Sequence, residues 1–267
     1  MNIIFNSSKG AVRKIDIENT LFELGISEGD ELFVHSCLYT FGKLGEIKTK
    51  EELAGCFIES LINCIGPRGT LIVPTFTFSF CKTGVFDSES TKSEAGLLSE
   101  VLRKRDDAER SKHPIYSVAA WGKNKEYYLS SDNTTCFGED GIFGRVHKNG
   151  KVKLLFIGIG AEGLSQIHYI EELLHVPYRY MKIFTGKADG KEVQVRFYVR
   201  DLKNNAELDM KGKTAEFCTN TGIIKTKALG ESSISVIEEN QLHAEMMQKM
   251  KEDHNFFLKQ PYKGAAT

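Results

Sequence analysis

Three short apolar runs constrain this chain more than any other feature. Residues 31–34, 70–74 and 153–158 are each rich in Leu, Ile, Val or Phe, too short for a buried helix and bounded by turn chemistry. Each therefore reads as a strand buried in a sheet. Between the first two, helical spacing runs over residues 50–65 and stops at Gly66, Pro67 and Gly69. Strand, helix, strand in that order favours a βαβ unit and a parallel sheet. Further helices are predicted over residues 15–24, 93–105 and 236–258 and from Gln166 onward, with another strand over 116–121. Residues 191–199 alternate polar and apolar, as a half-exposed antiparallel strand should. With no repeat, linker or low-complexity tract, the 267 residues are predicted to form a single α/β domain. Its central sheet is expected to be mostly parallel, with an antiparallel C-terminal subregion and fraying at 264–267.

Charge excludes several partners. The 35 basic and 36 acidic residues cancel to −1 with no long block of one sign, so neither nucleic acid nor an anionic membrane is expected as a partner. The six cysteines form no C-x-x-C pair, which argues against a zinc or disulfide framework. The first residues lack a signal-peptide pattern and no run approaches about 20 apolar residues, so a cytoplasmic location is expected.

Chemistry concentrates where predicted strands end. His168 and Glu171 lie three residues apart after the third apolar run and its glycine loop, so a helix puts both on one face. There a carboxylate can fix the tautomer of an imidazole base. His35, Ser36, Cys37 and Leu38 end the first strand, at the edge of an open α/β sheet where ligands commonly bind. Thr75 and Thr77 follow the second strand in the same way. Arg110, Ser111, Lys112, His113 and Pro114 combine cations, a hydroxyl and an imidazole, a set suited to phosphate. The glycine-rich stretch 138–145 lacks the P-loop pattern, and H-E-x-x-H is absent, so neither a nucleotide P-loop nor a metal is expected.

In this order and spacing, these blocks resemble the aminoglycoside 3-N-acetyltransferase family, also called antibiotic acetyltransferases. The likeness spans about residues 15–258. It rests on His35 to Leu38 with Phe41 and Gly42, on residues 66–77, and on Phe86, Asp87, Thr91 and Gly96. It continues through Arg110 to Pro114 with Ser117, Phe137 and Gly138, Gly144 and Arg145, and His168, Glu171 and Val176 to Arg179. The resemblance implies an α/β/α sandwich, acetyl-CoA as cosubstrate, and direct transfer to an amine. His168 is implied as general base and Glu171 as its orienting partner, with Thr75 on the cofactor path; the tetrahedral oxyanion of the reaction needs a donor, which a backbone N–H or the Thr75 hydroxyl could supply. His35, Ser36, Cys37, Leu38, Ser111, His113, Pro114 and Ser117 are implied along the cofactor path, with Thr77 and Arg179 toward the substrate.

Two departures bear on the acceptor. Gly141 and Ile142 stand where many members have Ser-Pro, and Cys37 replaces a serine. With no acidic surplus to meet a polycation, the expectation is an amino sugar, nucleotide-linked and used in surface-polysaccharide assembly. Arg145, Arg179, Lys182 and Arg196 would then face its diphosphate. An aminoglycoside acceptor and resistance to such antibiotics form the alternative. A thiol hydrolase using Cys37, or a CoA-binding protein without catalysis, are the readings from other classes. A monomer and a homodimer are both compatible with the sequence.

Overall fold

The computed structural model describes residues 3–264; residues 265–267, three of the four expected to fray, lie outside it. The chain begins with a hairpin, β1 (Ile3–Ser7) and β2 (Gly10–Arg13), followed by α1 (Lys14–Glu23), β3 (Glu31–Ser36) and β4 (Lys43–Leu44). Next come α2 (Lys50–Ile65), β5 (Thr70–Pro74), α3 (Phe80–Thr83), β6 (Val85–Phe86), α4 (Leu97–Leu102), β7 (Glu109–Arg110) and β8 (Val118–Gly122). The middle holds α5 (Lys125–Leu129), α6 (Ile142–Asn149), β9 (Val152–Ile157) and α7 (Ile167–Leu173). The long hairpin β10 (Arg179–Ala188) and β11 (Lys191–Arg200) precedes α8 (Ala215–Asn220), β12 (Ile224–Leu229), β13 (Ser232–Glu238) and α9 (Glu239–Glu252).

The seven-stranded sheet has the order β12-β13-β9-β3-β5-β8-β7. Its parallel part is confined to the centre, where β3 runs parallel to β9 and β5. Both flanks are antiparallel: β13 against β9 on one side, β8 against β5 on the other. The expected α/β class holds as a mixed sheet with helices around it. Period-two alternation explains why the central runs lack a polar face. Leu32, Val34, Leu71, Val73, Leu155 and Ile157 enter one apolar core with α1 and α2. Phe33, Ile72, Leu154 and Phe156 enter the other with α6, α7 and α9. Each such side chain, fully buried, contributes about 1.5–3 kcal/mol.

Local chemistry sets the element ends. The Thr49 side chain accepts the Glu52 backbone N–H at 3.0 Å to cap α2, and Gly66, at φ 61°, ends it in a conformation other residues avoid. The helix expected over 93–105 shortens to α4, because Gly96 sits at φ 105° and Ser93 and Ala95 spend their N–H groups on the Glu100 carboxylate and the Ser93 hydroxyl. The helix expected from residue 236 begins only at Glu239. Ile234 and Val236 alternate into the core while Ser235 pairs with Phe156, so this stretch is a strand. Among the described residues, no helix is long and apolar enough to cross a membrane.

Candidate active site

Parallel strands β3 and β9 end side by side, and the loops that follow them meet. Gly158, at φ 68°, sits where a Cβ would strike the Cys37 carbonyl at 2.3 Å, so only glycine allows this contact. The β9 loop then carries Ser165, whose hydroxyl lies 3.1 Å from His35 Nε2 and whose carbonyl accepts the His168 backbone N–H at 3.1 Å. Through Ser165, His35 and His168 are brought to the same end of the sheet, on the face covered by α6 and α7. Burial lowers His35 to a pKa of about 4, so both its contacts and its charge are those of a neutral ring.

On α7, the Nδ1 of His168 lies 2.7 Å from Glu171 Oε2. Arg179, the first residue of β10, places Nη2 2.5 Å from the same oxygen and 2.8 Å from His168 Nδ1. Glu171 is fully buried and the Arg179 side chain is 2% exposed, whereas the His168 side chain keeps 19%. Burial alone would raise the Glu171 carboxyl, but Arg179 and then His168 outweigh it and hold it at about 2. A permanent carboxylate is acceptor-only, so it takes hydrogens from both Nδ1 and Nη2. The tautomer with its hydrogen on Nδ1 satisfies Glu171 and leaves the Nε2 lone pair free, at the cost of setting two donors, Nδ1–H and Arg179 Nη2, 2.8 Å apart. Burial, reinforced by the Arg179 charge and opposed by Glu171, lowers His168 to about 4. The imidazole is neutral at physiological pH and ready to accept a proton.

Phe137 completes the wall, its ring 5.3 Å from that of His168 and 5.6 Å from the Arg179 guanidinium carbon. Phe137 lies within the resemblance but was not assigned to the site. Its aromatic neighbours Tyr116 and Phe197 are distant in sequence, so only tertiary structure assembles them around it.

Several expected site residues make internal hydrogen bonds. Thr75 is fully buried; its N–H donates to the Ser117 carbonyl and its hydroxyl to Ser117 Oγ at 2.9 Å, so it has no hydrogen left for an oxyanion. Arg110 Nε donates to both hydroxyls, and its guanidinium stacks on Phe86 rather than facing a phosphate. Between Thr75 and His168 stand Phe76, Tyr116 and Phe137, with ring separations of 4.7 and 5.0 Å. Thr77 donates its N–H to the Ile115 carbonyl and its hydroxyl to that of Pro114, so Thr77 and Pro114 pair with each other rather than with ligands. Ser111 accepts the Val118 N–H. His113 Nδ1 accepts the Ile115 and Tyr116 N–H groups while Nε2–H donates to the Thr135 carbonyl, a neutral ring with every position used. Leu38 is in the core. Arg179, expected at the substrate, is spent on Glu171 and the Tyr198 carbonyl. At the end of β3, His35 and Ser36 are half-buried and Cys37 is exposed. Among the described residues no histidine bonds the Cys37 thiol, and the His35 ring turns to Ser165, so a thiol–imidazole nucleophile finds no support.

The family model described as aminoglycoside 3-N-acetyltransferase matches residues 33–251. The chain belongs to this family. Aminoglycoside N(3)-acetyltransferase IV of Salmonella sp is 28% identical over 193 residues, spanning 71% of this chain and 70% of that protein. Among solved structures, the apoenzyme of aminoglycoside acetyltransferase AAC(3)-IVa superposes with a TM-score of 0.73 at 22% identity, covering 94% of this chain and 92% of that one. The AAC-IIIb binary complex with CoASH gives 0.72 at 18% identity, covering 93% and 98%. These superpositions establish the shared fold. As a member of the aminoglycoside 3-N-acetyltransferase family, the chain is an N-acetyltransferase with acetyl-CoA as cosubstrate. The expectation of a nucleotide-linked amino sugar is overturned: both the family and the Salmonella relative are aminoglycoside enzymes. Two of the four cations assigned to a diphosphate are also engaged internally, Arg179 as above and Arg145 by the Tyr127 carbonyl and the Ser130 hydroxyl.

Proposed function

We propose that this protein transfers acetyl from acetyl-CoA to the 3-amino group of an aminoglycoside and so confers resistance to that antibiotic. Residues 3–264 act as one catalytic domain, since the central sheet takes strands from both halves of the chain. The observation that carries the mechanism is the ordered set of Arg179, Glu171 and His168, which leaves a neutral imidazole with Nε2 unprotonated beside an open edge. The unprotonated amine attacks the thioester carbonyl, forming C–N as the carbonyl becomes an oxyanion. His168 Nε2 takes the proton released by the new ammonium; the C–S bond then breaks and CoA leaves as thiolate, to which that proton can return. The growing imidazolium is stabilised by Glu171, a charge-assisted bond worth about 1.5–3 kcal/mol. His35, Ser36 and Cys37 line the mouth through which the thioester reaches this base.

Polycation recognition is a local matter that a net charge of −1 conceals. Glu172 follows His168 by four residues, so the two share a face of α7. Its carboxylate is half-buried, Oε2 is itself buried and unpartnered, and burial raises its pKa, so an ammonium group that reached it would supply the charged partner it lacks. The test is thiol release from acetyl-CoA with a panel of aminoglycosides, mass spectrometry of the product, and growth of a sensitive host expressing the protein. Acetylated antibiotic and protected growth are expected; no turnover on any aminoglycoside would end the reading.

A further inference from the structure

On the opposite side of α7 lies a cluster that the acetyl-transfer site does not use. Glu239, the first residue of α9, is fully buried, yet among the described residues no lysine or arginine pairs with it. Its Oε1 accepts the Gln166 amide N–H at 2.8 Å, and its Oε2 lies 3.1 Å from His147 Nδ1 on α6. One helical turn along α9, the His243 ring stacks on that of His147 at 3.7 Å, and the buried His243 Nδ1 has no hydrogen-bond partner. A buried carboxylate whose partners are an amide and an imidazole, with an unpartnered buried imidazole nitrogen one helical turn away, is a donor set that a cation would complete.

We propose that His147, Glu239 and His243 form a binding site for a first-row divalent cation of the zinc class. One ligand atom from each lies within 4.8 Å of the others. Tetrahedral zinc holds such donors about 3.3 Å apart, so small side-chain movements close the set. A metal lies in the plane of each imidazole it binds, so binding swings the two rings out of their stack. The torsion involved is soft, and both side chains are only half-buried. Two imidazoles and one carboxylate suit zinc, cobalt or nickel, while calcium and magnesium prefer oxygen throughout. The fourth position is left to water. Gln166 acts as the supporting partner that fixes the carboxylate, and the Tyr169 ring flanks both histidines at 5.7 and 5.8 Å. Occupancy would tie α6 and α9 together behind the helix that carries His168, making the site a structural brace.

The experiment is titration of metal-free protein with Zn²⁺ by calorimetry and with Co²⁺ by visible absorption, on the wild type and on H243Q and H147Q. One equivalent of Zn²⁺ should bind with affinity reduced about a hundredfold in either variant, and a hundredfold excess over Kd should raise the wild-type Tm by about 5 °C. Co²⁺ should give d–d bands without the near-ultraviolet charge transfer that thiolate ligands produce. Using two variants, each at a half-buried position, guards against one that misfolds. Unchanged affinity in a folded H243Q or H147Q would overturn the proposal, as would a sulfur-type cobalt spectrum.

Discussion

Removing Glu171 and Arg179 singly and together separates what holds the site from what drives it. Both are buried, 2.5 Å apart, so either E171Q or R179M strands an unpaired charge in the interior. Such a loss costs about 3–5 kcal/mol of stability, whereas removing both charges at once should recover most of it. Turnover follows a different order. E171Q and the double variant lose the carboxylate facing the imidazolium that forms as the proton moves, about 1.5–3 kcal/mol, which is about a 10- to 150-fold fall in kcat. R179M removes a cation that opposes protonation of His168 and should keep kcat near wild type in the folded fraction. Urea midpoints and thiol-release kinetics on all four proteins give the cycle. A double variant that regains both stability and wild-type kcat would refute the reasoning, because Glu171 would then be only a partner for Arg179.

Four further outcomes are expected. H168A should lower kcat about a hundredfold or more while leaving the KM for acetyl-CoA nearly unchanged, in steady-state assays. E172Q should raise the KM for the aminoglycoside about tenfold with kcat retained; an unchanged KM would remove Glu172 from substrate recognition. H113A should lower the urea midpoint, since the ring makes three hydrogen bonds each worth about 1 kcal/mol net, yet the folded fraction should turn over normally. His35, His113 and His168 all sit near a pKa of 4, below the value of about 6.5 in an unfolded chain. Between those values the unfolded state binds protons that the native state refuses, so stability should fall as pH drops from about 6.5 toward 4. Each histidine adds a slope of up to about 1.4 kcal/mol per pH unit, readable from urea midpoints across that window.

What could be read from the sequence was whatever is local. The strands at 31–34, 70–74 and 153–158, the capped helix α2 and the H-x-x-E pair all depend on neighbours within a few residues, and all stand where expected. The edge strand β12 and its neighbour β13 did not announce themselves, because Val236 and Ile237 could open the helical pattern that follows until pairing with β9 makes them part of a strand. Hydroxyls misled for a related reason. Thr75, Thr77, Ser111 and Ser117 have the chemistry of ligand donors, and only the folded pairing of 75–77 with 114–117 and of Ser111 with Val118 gives them internal partners. Arg179 carried no local sign that it would turn inward to Glu171. The acceptor class was misjudged because net charge averages over the whole chain and says nothing of local fields.

The place of β3 at the middle of the sheet has a consequence for synthesis. Its β5 partner leaves the ribosome soon after it, but β9, which supplies the other edge, comes from the far half of the chain. Throughout that interval the nascent β3 presents an unpaired apolar edge, a template for wrong pairing with another chain. Folding of the site is correspondingly late, since His35 meets Ser165 only when β9 has docked. Chains truncated before residue 152 should accumulate as insoluble material in pulse-labelled cells, while those extending past α9 should be recovered in soluble form.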